Sequence, residues 1–258
     1  MVTIPPLDRL IPLGAVFPVS LLLVLLSIAW GFWIGTQHRT IPETPIGSVV
    51  GAMLGLLAFM LAFTFGMSAS RFEARRQLLL DDVNAIQTAV RRSELLPEPQ
   101  RAESRALLRR YVDLRVQVAR DPSRIRAAIV EADALQQRLW SGAIALAKQD
   151  THSDISALYA ESLNDLMTAH TSRTTVALLH QIPETIWYVL ILLTIMCMVA
   201  VGFQFGISGR ASIVVILWLA VAFSAVVTLI AHLDQPVDSA LRVSQQPMLD
   251  LERHLQSP

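Results

Sequence analysis

Phe59 and Phe63 stand four residues apart, and Arg71, Arg75 and Arg76 follow soon after in the chain. Around them Gly47, Gly51, Gly55, Ala58, Ala62, Gly66 and Ala69 recur at a spacing that lines one side of a helix. None of these side chains suits bond-making chemistry in such a setting. Aromatic rings exclude water, small residues let backbones approach, and guanidiniums set a positive potential. The chain carries no nucleophile elbow, phosphate loop or His-Glu-x-x-His, and no paired carboxylates within an apolar run. His152, His170, His180 and His232 share no metal-ligand spacing, and the single cysteine, Cys197, excludes a disulfide framework. No catalytic residue, metal or cofactor is expected, and the chain does not read as an enzyme.

The elements that must hold these residues are membrane helices. The 258 residues are 53% hydrophobic with a mean hydropathy of +0.49, too apolar for a soluble domain. Four uncharged runs account for this, and each exceeds the ~20 residues that cross a hydrocarbon core. The spans are expected at about 11–36, 45–69, 184–207 and 211–233. The first has too long an apolar part and too weak a positive flank for a cleaved signal peptide, so it reads as a retained helix. The formal net charge is +0, which gives no general attraction to nucleic acid.

Arginine placement orients the spans. Arg71, Arg75 and Arg76 follow the second span at once, whereas the two short inter-span loops hold only Arg39 and Arg210. The positive-inside rule then puts the block at 71–181 and both termini in the cytoplasm, with the short loops outside.

That block reads as helix throughout, rich in Ala, Leu, Arg, Glu and Gln. Its first helix continues from the second span without a breaker until Pro97 and Pro99. A second starts near Arg101. A third occupies about 122–149, with Asp121 as N-cap and Pro122 at its first position. A fourth runs from near Ser153 to His180, and a short amphipathic C-terminal helix is expected to break at Pro247. The expected organisation is a membrane hairpin at 1–70, a helical domain at 71–181, a second hairpin at 182–234 and a C-terminal helix within 235–258. The fold class is all-α.

Two readings of the second span stay open on the residues alone. Its small stripe, with Gly47, Gly51 and Gly66, serves tight helix packing or lines a pore. Phe59 and Phe63 fill space or, if several copies bring them to a shared axis, form a dewetting ring. Arg71, Arg75 and Arg76 anchor the helix at the interface or ring the inner mouth of such a pore.

The run Phe59–Phe72, FMLAFTFGMSASRF, resembles the neck-forming second span of bestrophins, the pentameric anion channels. Phe63 and Phe59 match two of the family's three neck positions. The third falls on Gly55, where the family has a bulky aliphatic residue. Leu163, Asn164, Asp165, Ile182 and Pro183 are similar to the family's Leu-Asn-Glu helix and the Ile-Pro start of its third span. RFEARRQLLLDDVNAI and RVSQQPMLDL look like the bacterial branch called bestrophin-like. The acidic clasp that binds calcium in animal bestrophins is missing, since only Asp234 and Asp238 are acidic directly after the fourth span.

The resemblance implies a multi-pass protein of the bacterial inner membrane that assembles as a homo-oligomer, pentameric as in the family, and passes small inorganic anions. Its neck would be Phe59, Phe63 and Gly55, its inner-mouth charge Arg71, Arg75 and Arg76. Its partners would be the lipid bilayer, further copies of itself and the anion. The alternative is a membrane-anchored interaction or signalling protein whose cytoplasmic helices bind a partner. An exposed apolar patch on those helices would favour it.

Overall fold

The computed structural model describes residues 12–38, 43–179, 182–209, 212–234 and 244–256. Among these every regular element is helical: α1 (Leu13–Thr36), α2 (Glu43–Ser93), α3 (Gln100–Arg120), α4 (Ile125–Gln149), α5 (Asp154–Leu179), α6 (Glu184–Ser208), α7 (Ile213–Asp234) and α8 (Gln246–Gln256). A 3-10 turn, Pro122–Arg124, precedes α4. The chain divides into two compact units. One takes residues 1–72 and 181–242, the other 73–180 and 243–258.

The first unit holds the four apolar runs, each in a helix long and apolar enough to cross a membrane. Its core gathers Val24, Ile28, Leu57, Leu61, Leu190, Met198, Ala220 and Ile230. Two of its helices meet backbone to backbone. A Cβ added to Gly31 or Gly35 of α1 would collide with the carbonyls of Val199 or Phe203 on α6. One added to Gly202 or Gly206 of α6 would collide with those of Ile28 or Phe32. Each helix thus supplies a small-x-x-x-small pair, the spacing that lets membrane helices approach most closely. Asp234, at the end of α7, is buried and accepts the N–H of Ile182, two residues before α6, at 3.1 Å. Asp238 lies outside the described residues.

The second unit is built on apolar stripes at helical spacing. Ala128, Ala132, Leu135, Leu139, Ala143 and Leu146 of α4 all face its core, with Leu107, Leu108 and Tyr111 of α3 and Tyr159, Leu163 and Leu166 of α5. Helix α2 runs on past the second apolar run, because nothing in its sequence breaks it before Pro97. Its end is tied down where Arg92 donates to the carbonyl of Leu158 at 2.7 Å and to Glu161 at 2.9 Å.

Two local expectations change. Asp121 does cap, accepting the Ser123 N–H at 3.1 Å, but it caps the 3-10 turn, and the α-helix starts only at Ile125. Pro247 does not break the C-terminal helix. It sits in the first turn of α8, where a missing N–H is harmless. From there Met248, Leu251 and Leu255 bury one face, and Glu252 meets Arg120 of α3 at 3.4 Å.

Candidate functional site: the second span

Within the first unit α2 has two unlike faces. Val50, Leu57, Leu61, Thr64 and Ser68 are buried, following one line at three- and four-residue steps. On the opposite side Phe59 is 65% and Phe63 54% exposed. Gly51, Gly55, Ala58, Ala62 and Gly66 are exposed beside them. Among the described residues no atom lies within 4 Å of a Cβ built on Gly51, Gly55 or Gly66, while one on Gly47 would meet the Gln204 amide at 3.2 Å. The close packing expected at Gly51 and Gly66 is therefore not made among the described residues of the chain. That contact is made instead at Gly31, Gly35, Gly202 and Gly206, which the sequence reading passed over. Their signal was the paired four-residue spacing in α1 and α6.

The three arginines do not share one environment. Arg71 lies about a third of a turn round the helix from Phe59. It is half-buried, and its Nη1 has no hydrogen-bond partner. Arg75 is half-buried and engaged in an interaction. Arg76 is exposed and stands 3.6 Å from Glu73.

The sequence reading also missed a polar cluster inside the second unit. Asp82 of α2 is fully buried and accepts from Arg115 of α3 at 3.0 Å and from Arg173 of α5 at 2.6 Å, both on Oδ2. Arg173 also donates to Gln245, just before α8, at 3.1 Å. Beside them the Tyr111 hydroxyl shares a hydrogen bond with His170 Nδ1 at 3.0 Å and accepts from the Gln136 amide at 3.4 Å. The remaining imidazole nitrogen faces Asp133 at 3.6 Å, and the Arg115 guanidinium lies 5.4 Å from the Tyr111 ring centre. Burial, with the Arg115 charge next in weight, pushes His170 down to about 4, so the ring is neutral at pH 7. Burial pushes the Tyr111 hydroxyl up to about 12. The legible signal was Asp82 itself, a carboxylate on the apolar line Leu79–Val83–Ile86.

Among the described residues no three His, Cys, Asp or Glu side chains gather as a metal site. A family model, the Bestrophin-like domain, matches residues 18–248. The chain belongs to the Bestrophin-like family. The fold of this Bestrophin-like chain is shared by crystal structures of bacterial bestrophin homologues. One variant from Klebsiella pneumoniae is 18% identical with a TM-score of 0.67, covering 93% of this chain and 96% of its own. A second variant from that organism is also 18% identical at 0.67, covering 94% and 97%. A structure described only as a membrane protein gives 0.69 at 18% identity, covering 94% and 97%. Comparison with curated proteins finds no match.

Proposed function

We propose that this Bestrophin-like chain is the subunit of an oligomeric, passive, anion-selective channel whose neck is the second span. One observation carries the reading: among the described residues the face of α2 with Phe59 and Phe63 is exposed, while its opposite face is buried. Large aromatic side chains beside open glycines suit a shared axis between copies better than a lone anchor. Around that axis Phe63 and Phe59 form an apolar constriction that resists wetting. Gly55 adds no side chain, so the constriction is two rings deep, not three. Arg71, Arg75 and Arg76 make the adjoining end of the span positive and raise the local anion concentration. The resemblance to bestrophins implies five copies. Arginine placement supports an inner-membrane orientation with the second unit and both termini in the cytoplasm.

The test is flux. Purified oligomer in liposomes passes chloride under an imposed gradient, and Phe63→Ala raises the rate severalfold by widening the constriction. No flux above empty liposomes, with a verified oligomer present, sinks the channel. A monomer by mass in detergent removes the axis.

One observation favours an interaction role for the second unit as well. Val130, Trp140 and Ile144 of α4 and Ile155 and Leu158 of α5 are exposed apolar side chains. A protein that passes no ion but loses a bound partner on Trp140→Glu would have that role alone.

A further inference from the structure

Ion pairs tie the helices of the second unit to one another, and two arginines of α3 take no part. Arg110 of α3 reaches Glu131 of α4 at 2.6 Å, while Arg115 of α3 and Arg173 of α5 reach Asp82 of α2. Arg105 and Arg109, four residues apart, pair with no carboxylate among the described residues. Each is half-buried. Its Nε is enclosed without a partner, whereas its Nη atoms are not enclosed and end at the surface.

Helix α5 carries the opposite charge. Asp154, Leu158, Glu161 and Asp165 follow one line at steps of four, three and four residues, and all are exposed. Asp154 and Asp165 have no cationic partner among the described residues. Glu161 is held by Arg92 at 2.9 Å through Oε2, which keeps Oε1 for a second donor. No exposed side chain described on α5 is basic. The step from Arg105 to Arg109 equals that from Glu161 to Asp165, ~6 Å of helix. Side by side, two guanidiniums would meet two carboxylates while the arginine stems cover Leu158. Each line attracts its unlike and repels its own kind. One chain carries both, so the partner that fits is a second copy.

We propose that the Arg105–Arg109 line of α3 on one copy docks on the Asp154–Asp165 line of α5 on the next. The contact joins unlike faces, so it passes from copy to copy and suits closure round an axis. It rests on the oligomer of the reading above and not on transport.

The test links exposed neighbours of the two lines and leaves their charges intact. Full-length protein with Ala106→Cys on α3 and Thr168→Cys on α5 is treated in membranes with a short bis-maleimide. A ladder of covalent oligomers is expected on a denaturing gel, and neither single variant is expected to give one. Arg105→Glu with Arg109→Glu should cut the yield severalfold, and adding Glu161→Arg and Asp165→Arg should restore it. A merely structural role for the arginines predicts no such rescue. A folded double-cysteine oligomer with no linked chains overturns the proposal, even if the reversed variants do not fold. So does an unchanged yield in the folded reversed variant, or a product that joins this chain only to another protein. Anion flux from an oligomer that gives no linked product ends this contact and leaves the channel standing. Linked product without flux does the reverse.

Discussion

Asp82 is the side chain on which the interior of the second unit turns. It is fully buried with a single oxygen shared by Arg115 and Arg173. Asp82→Ala leaves two largely buried guanidiniums facing each other, and a loss of about 3–5 kcal/mol is expected. Chemical denaturation in detergent measures it, and Asp82→Asn, which keeps an acceptor, should lose less. His170 makes the same interior pH-sensitive. Its ring is held near 4, below the ordinary imidazole value, so the unfolded chain binds a proton over that interval and the folded chain does not. Stability therefore falls as pH drops from about 6.5 to about 4 and levels off below. In His170→Gln that slope should flatten. At the proposed neck, a side chain at Gly55 has open space among the described residues, so Gly55→Leu should fold and lower flux by adding a third apolar ring. Unchanged flux would mean that Gly55 does not face the axis.

At the level of elements the sequence was legible where its signals are local. Four uncharged runs became four apolar helices, and the breaker-free stretch after Ser70 became the continuation of α2, ending before Pro97. What it hid depends on partners far away in the chain. A small residue looks the same whether its neighbour is a helix of the same chain or open space. Gly51, Gly55 and Gly66 of α2 are therefore open, while the less conspicuous Gly31 and Gly202 carry the close approach. Likewise Asp82 found its arginines 33 and 91 residues away. The α1–α6 contact has no slack, since the groups opposite each glycine are backbone. Gly31→Val should cost about 1–3 kcal/mol through overpacking, read as a lower melting temperature in detergent. Gly14→Val on the same helix meets nothing and should be neutral.

For the whole molecule, the proposed oligomer makes the exposed side of α2 matter for assembly and not for the folding of one chain. Ala62 is exposed beside Phe59 and Phe63. Ala62→Trp is expected to leave each chain folded while shifting the mass in detergent from oligomer towards monomer. A variant that keeps the wild-type mass would move the shared face elsewhere on the subunit.

The glycine contact between α1 and α6 has a genetic corollary. Every missense change at Gly31, Gly35, Gly202 or Gly206 adds a Cβ where a carbonyl already stands. No substitution is conservative there, alanine included. In a saturation library selected for mature protein in the membrane, these four codons should be almost empty of variants. Gly51, Gly55 and Gly66 should fill freely under that selection and empty only when the selection is for the assembled, working complex.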